Sequence, residues 1–190
     1  MSNIEYKVGT YYNSGSDIPV PEKLKGKDAR ADLAARAAVF AAIDVTKTAE
    51  DINLETLNII VLNRKGCQSY IKKVSDGVTK RVARQGFFAR GGPHTLATYT
   101  ALALGSHGSA FTIVGGKESL PDAITTAMFL VKDDTPVILT VVNQSDSNIF
   151  KAISVLLMAT NINSDMEKQN GQVVKDIFKH LANSFNCNTD

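Results

Sequence analysis

The chain has 190 residues, of which 44% are hydrophobic, and a formal net charge of +2 at neutral pH. This length and composition predict one globular domain, residues 1–190, with a core of its own. The small net charge and the lack of a membrane-length apolar run argue against a nucleic-acid-binding protein and against a membrane protein.

The N-terminal part of the chain predicts a strand followed by a helix. Apolar and polar residues alternate over residues 4–12, as they do in a half-buried strand. Asp28 can cap a helix that extends to about Asp44. The many alanines of this helix predict close packing against the sheet.

The middle of the chain alternates between strand and helix signals. Residues 57–62 form a nearly continuous apolar run, which is typical of a parallel strand covered on both faces, and Gly66 ends it. Helical spacing then extends from Gln68 to Ala83. A further helix is predicted over Thr95–Leu104, with Gly105 as its C-terminal signal.

A strand that bends sharply into a helix is predicted around Lys117. Phe111–Val114 predicts a buried strand, and Gly115-Gly116 allows positive φ at the bend. Ser119 or Asp122 can cap the helix that follows. Such a bend presents the residue at its tip beside helix N–H groups, which is the geometry of nucleophile-elbow enzymes.

The last third of the chain predicts more of the same sheet. Residues 136–142 indicate a second buried strand, whereas residues 153–159 fit either a strand or a buried helix. A last helix is predicted over Gln172–Phe185. Strands that alternate with helices predict a layered α/β domain with a mainly parallel sheet.

The segment around Lys117 resembles the one that carries the active-site cysteine of the β-ketoacyl synthases, in the thiolase-like superfamily. Leu104-Gly105-Ser106-His107-Gly108 matches the beginning of that segment, and Thr112-Ile113-Val114 matches its strand. Ser119 matches the serine after the nucleophile. The cysteine position falls on Lys117, and Gly115-Gly116 replaces the preceding threonine-alanine.

Weaker matches in the same order extend the resemblance over most of the chain, but only to the N-terminal half of a ketosynthase. The resemblance implies a three-layer α/β/α fold, a single thiolase-like half with a mainly parallel mixed sheet. The two catalytic histidines of the family belong to the other half. By position, none of the three histidines here, His94, His107 and His180, fits that role.

A lone half of this kind is expected to need a partner. In intact ketosynthases the two halves pack together, so a single half would expose an apolar face. We therefore expect a homodimer, or a heterodimer with a full-length ketosynthase. The candidate contacts are the helices Asp28–Asp44 and Thr95–Leu104 and the helix after Lys117.

A basic segment suggests a second partner. Between Arg64 and Arg90 the chain has eight basic residues and one acidic residue, a local net charge of +7. Such a field speeds encounter with an acidic protein, and the acyl carrier proteins that ketosynthases bind are acidic. The candidate docking residues are Lys72, Lys73, Lys80, Arg81 and Arg84. A solvated basic face without a partner is an equal alternative, and RNA binding is less favoured because aromatic residues are not interleaved with these charges.

These features favour a non-catalytic, ketosynthase-like accessory protein of a fatty-acid or polyketide-type acyl-assembly pathway, acting as a partner subunit or as a docking subunit for acyl carrier protein. Two alternatives stay open. An enzyme of acyl transfer or hydrolysis could use a neutral Lys117 amine or a Cys67 thiolate, which its basic neighbours would favour. A remnant acyl pocket could instead bind a small ligand.

No metal site is expected, because the three histidines lack the close spacing of metal ligands. No cofactor is expected either, because neither a Walker pattern nor a full Gly-x-Gly-x-x-Gly is present. The two cysteines lie far apart in dissimilar surroundings, which indicates free thiols in a reducing compartment. The N-terminus also has no apolar signal-like stretch. We therefore expect a cytoplasmic protein.

Overall fold

The computed structural model describes residues 3–13, 18–25, 31–49, 52–80, 91–131, 135–145, 149–160 and 166–185. These residues contain the strands and helices β1 (Asn3–Asn13), α1 (Leu33–Lys47), β2 (Asn58–Asn63), α2 (Gln68–Thr79), α3 (Thr95–Leu104), β3 (Ala110–Val114), α4 (Leu120–Leu130), β4 (Val137–Gln144), β5 (Phe150–Thr160) and α5 (Met166–Ala182). In this part of the chain, none of the helices combines the length and the apolar character that crossing a lipid bilayer requires.

The five strands form one mixed sheet in the order β1-β5-β4-β2-β3. β2 pairs in parallel with β3 and with β4, whereas β5 pairs antiparallel with β4 and with β1. Four of these strands therefore point one way and β5 points the other. This arrangement confirms the predicted mixed sheet, with two parallel and two antiparallel strand pairs.

Helices cover both faces of the sheet and complete the three-layer α/β/α architecture. Along the central strand β2, Ile59 and Val61 pack with α1 and α3, whereas Ile60 and Leu62 pack with α4 and α5. All four side chains are fully buried. A strand covered on both faces needs apolar residues at every position, which accounts for the continuous apolar run in the sequence.

Helix α1 packs tightly on the sheet, as its alanines predict. A Cβ added at Gly9 of β1 would lie 2.4 Å from the backbone nitrogen of Val45, so only glycine fits there. The cap of α1 differs from the prediction, because Asp32 accepts a 2.9 Å hydrogen bond from the Ala34 N–H. The predicted cap, Asp28, lies outside the described residues.

Other elements match the predictions, and some of them have shifted ends. The helix Thr95–Leu104 is confirmed, and Gly105 follows it with a left-handed φ of 69°. Residues 153–159 belong to strand β5, which settles the alternative between strand and helix. α1 extends beyond the predicted end at Asp44 to Lys47.

The two remaining helices also differ at their ends. α2 ends at Thr79, and the predicted end at Ala83 lies outside the described residues. α5 begins at Met166, before the predicted Gln172.

Strand β3 lies at the edge of the sheet, which corrects the prediction of a buried strand. Its residues are exposed or half-buried, and Val114 is 55% exposed. The cause is its place at the end of the strand order, because α4 packs mainly on β2 and β4 and covers Phe111 and Ile113 of β3 only in part. An apolar sequence alone does not distinguish an edge strand from a central one.

Candidate functional site

Lys117 lies at a bend between a strand and a helix, as the sequence predicts. β3 ends at Val114, and a short 3-10 turn, Lys117–Ser119, leads directly into α4. The Lys117 side chain is exposed. The residue at the tip of the bend therefore faces water instead of a closed cleft.

The glycines of this bend do not take the predicted positive φ. Within the described residues, positive φ values occur at Gly66 and Gly105, whereas Gly116 has an ordinary φ of −95°. The bend instead requires small residues because of its tight packing. A Cβ added at Gly115 would lie 2.0 Å from Ser119 Oγ.

A carboxylate, and not the predicted cap, occupies the backbone donors of the bend. Ser119 precedes α4 without making a side-chain capping bond, and Asp122 lies within the first turn. Glu118 Oε1 accepts a hydrogen bond from the Gly116 N–H at 3.0 Å. The N–H groups of Glu118 itself and of Gly116, with the charge of Arg64, lower the pKa of the Glu118 carboxyl. An incoming anion would have to displace this carboxylate.

Cys67 lies buried just before α2, in surroundings that favour the neutral thiol. Its Sγ is 2.9 Å from Thr95 Oγ1 and 3.5 Å from the Gly92 carbonyl oxygen. Burial raises the pKa of the Cys67 thiol to about 12, Thr95 opposes this rise, and the charge of Asp32 adds to it. Its basic neighbours in sequence therefore do not produce the thiolate that the enzyme alternative requires, and the thiol is fully buried rather than at the surface or half-buried.

The three histidines lie in different parts of the fold. His94 precedes α3, His107 lies in the loop before β3, and His180 lies near the end of α5, where its ring is 6.0 Å from that of Tyr6. All three are exposed. Across the described ranges, no group of three or more metal-ligating side chains comes together.

The basic residues proposed for docking are only partly within the described residues. Lys72 and Lys73 are exposed on α2, and Lys80 is exposed at its C-terminal cap. The Lys73 ammonium lies 4.7 Å from the centre of the Tyr70 ring. The other two candidates, Arg81 and Arg84, lie outside the described residues.

Exposed apolar side chains lie on two of the helices that the sequence offers as subunit contacts, although the sequence did not identify these residues. Leu102 on α3 is 55% exposed, and Phe129 on α4 is 76% exposed. Helical spacing could have identified Phe129, because it lies on the opposite side of α4 from the buried residues Ala123 and Ala127. Such side chains are candidates for contact with a partner.

No protein-family model and no curated protein sequence matches the chain. Solved structures do match it. The ishigamide ketosynthase/chain length factor aligns with a TM-score of 0.61 and 12% identity, over 78% of this chain and 49% of that one. The chain thus spans about half the length of that relative.

A second match comes from the complex of the ketosynthase ApeO with its chain length factor ApeC, from Xenorhabdus doucetiae. Here the TM-score is 0.62 and the identity 10%, over 94% of this chain and 91% of the matched chain. At these identities the likeness concerns the fold. The chain therefore has the α/β fold of ketosynthase/chain length factor proteins, as the sequence resemblance implied.

Proposed function

We propose that this chain is a non-catalytic, ketosynthase-like accessory subunit of a polyketide- or fatty-acid-type acyl-assembly pathway. The observation that carries the proposal is an exposed lysine, Lys117, at the strand-to-helix bend of a ketosynthase-like fold. The resemblance places the nucleophilic cysteine there. Without that sulfur, the bend has no group to form the acyl thioester.

The neighbourhood of the bend supports this proposal. Glu118 already accepts a hydrogen bond from the Gly116 N–H, so a carboxylate holds this backbone donor of the bend. Cys67, the other candidate nucleophile, is buried, and its pKa is raised to about 12. A neutral, buried thiol is a poor nucleophile.

We propose that the partner is a full-length ketosynthase and that it contacts the edge of the sheet at β3. Among the described residues, β3 pairs with β2 only, so its other edge is open to a further strand. β3 contains neither a charged residue nor a proline, which commonly protect edge strands from pairing. Exposed Val114 adds apolar surface at this edge.

The opposite edge of the sheet is less open. On β1, the Thr10 N–H donates a hydrogen bond to Asp44 Oδ2 at 3.0 Å, so α1 already uses part of this edge. The buried face of α1 also packs within the chain, which makes this helix a poor candidate for the expected subunit contact. Leu102 on α3 and Phe129 on α4 remain exposed.

One structural match comes from a ketosynthase in complex with its chain length factor, and it supports a heterodimer. A homodimer through the same edge is the alternative outcome.

The proposed location is the cytoplasm, where a free thiol such as Cys67 persists. We further propose that Lys72, Lys73 and Lys80, with Arg81 and Arg84, attract an acidic acyl carrier protein.

Mass spectrometry of the full chain after incubation with an acyl thioester tests the absence of catalysis. We expect no covalent adduct at Lys117 or at Cys67, whereas a catalytically competent ketosynthase in a parallel reaction should be acylated. A stoichiometric acyl adduct at Lys117 or Cys67 would instead support the alternative, an enzyme of acyl transfer or hydrolysis.

A further inference from the structure

Helices α4 and α5 border an open groove of about 610 Å³ on the face of the sheet opposite α1. Small-molecule sites typically have volumes of about 300–1,000 Å³ and mainly apolar walls. The groove has this character. Its apolar lining residues are Pro121, Ile124, Met128, Val174 and Phe178.

Within the part of the chain that the structure describes, the polar residues that line the groove are Thr125 and Lys175. The Thr125 hydroxyl donates a hydrogen bond to the Pro121 carbonyl oxygen at 2.9 Å, so its donor is already used. Lys175 is exposed and is the one charged side chain among the described residues of the lining. Its acidic neighbour in sequence, Asp176, accepts a 2.9 Å hydrogen bond from Gln172 Nε2.

We propose that this groove binds an aliphatic carboxylate, with its hydrocarbon chain against Met128 and Phe178 and its carboxylate at Lys175. The apolar walls remove the hydrocarbon from water, and the single cation complements one anionic end group. Methionine adapts its shape to a flexible chain. No lining residue belongs to β3, so the proposal does not depend on the proposed ketosynthase contact.

The methyl resonances of methionine provide a direct test. The full chain contains four methionines, and the ε-methyl signal of Met128 is assigned with a Met128→Leu variant, which keeps an apolar side chain of similar volume. Decanoate is expected to shift the Met128 signal in a saturable manner. The signal of Met158, which packs with the opposite core layer, should stay in place and also report an intact fold.

Matched ligands and variants separate the charge from the hydrocarbon. Lys175→Gln should weaken decanoate binding by about two- to fivefold, as expected for an exposed ion pair, and should not change the binding of decanol. Lys179→Gln is the control, because Lys179 is an exposed lysine one turn further along α5 that does not line the groove. Each added methylene should strengthen binding by about fourfold until the groove is filled.

Three results would overturn the proposal. The first is a Met128 signal that decanoate does not shift. The second is equal weakening of decanoate and decanol by Lys175→Gln, since the lysine would then not recognise the carboxylate. The third is a Met128 signal that shifts with a ketosynthase and not with decanoate, which would assign the groove to a protein contact.

Discussion

Asp32 accepts a hydrogen bond from the backbone N–H of Tyr70 and thereby joins the beginning of α2 to the beginning of α1. Oδ2 of Asp32 lies 3.4 Å from the Tyr70 nitrogen, and Oδ1 lies 2.9 Å from the Ala34 nitrogen. Asp32 is only 3% exposed. One buried carboxylate therefore caps α1 at Ala34 and shares the Tyr70 N–H of α2 with the Cys67 carbonyl oxygen, which lies 3.1 Å from the Tyr70 nitrogen.

Asp32→Ala should lower the free energy of unfolding by about 1–3 kcal/mol, because it removes the cap of α1 and the hydrogen bond that the Ala34 N–H donates. Urea denaturation of the two proteins measures this difference. Asp122→Ala is the control, since Asp122 is exposed in the first turn of α4 and should change stability by about 0.5 kcal/mol or less. Equal effects of the two substitutions would contradict a special role for Asp32.

Burial of Cys67 predicts that stability decreases in alkaline solution. The pKa of the thiol is raised from 9.0 to about 12 in the folded chain, so the unfolded chain loses this proton first as the pH rises. The contribution of the neutral Cys67 thiol to the free energy of unfolding is fully present below about pH 9 and is lost between about pH 9 and pH 12. At pH 10 the loss is about 1 kcal/mol.

The measurement compares the unfolding free energies of the wild type and Cys67→Ala at pH 7 and pH 10. Because alanine has no thiol to ionise, the difference in unfolding free energy between the two proteins should change by about 1 kcal/mol from pH 7 to pH 10. A difference that stays constant from pH 7 to pH 10 would show that the Cys67 pKa is not raised.

A charge at the open sheet edge should prevent binding of the partner. Val114→Lys places an ammonium group on the exposed face of β3 and should weaken ketosynthase binding at least about tenfold, since a buried contact would receive an unpaired charge. Its effect on the stability of the isolated chain should be about 0.5 kcal/mol or less. Co-purification with a tagged ketosynthase measures the binding.

Phe129→Ser is the matched control for the sheet-edge contact, because Phe129 is even more exposed but lies on α4. If the edge of the sheet is the contact, this variant retains binding. Loss of binding in Phe129→Ser together with full binding in Val114→Lys would move the contact to α4, which the sequence resemblance also offered as a candidate.

Charge reversal on α2 tests the docking of a carrier protein. Replacing Lys72, Lys73 and Lys80 by glutamate should weaken binding of acyl carrier protein at low salt, and the effect should shrink as salt screens the charges. Surface plasmon resonance over a salt series measures both trends. A control with the same change of charge uses glutamate at Lys23, Lys47 and Lys179, which are exposed on other elements. Equal losses in the two triple variants would indicate an effect of net charge alone.

The sequence predicts the centre of the sheet well because burial on both faces leaves a clear pattern. β2 and β4 are continuous apolar runs and are confirmed as central strands. β3 has similar residues, yet it lies at the edge of the sheet, where α4 covers it only in part. That placement is a tertiary property without a local signal.

At the candidate site, too, features with a local sequence signal are predicted and features set by tertiary packing are not. The bend at Lys117 follows from local signals, namely an apolar strand, two glycines and a helix start. The state of Cys67 does not, because its partner Thr95 lies 28 residues further along the chain. The sequence indicates a free thiol at the surface or half-buried, with a thiolate as the enzyme alternative, whereas burial by distant elements favours the neutral thiol.

The central claim is that this chain associates with a ketosynthase and contributes no condensing residue of its own. The most direct test is the condensation activity of the co-purified complex after the ketosynthase's nucleophilic cysteine has been replaced by alanine. We predict that the complex still forms and that condensation is abolished. Failure of the complex to form with the wild-type ketosynthase, or condensation that persists without that cysteine, would contradict the claim.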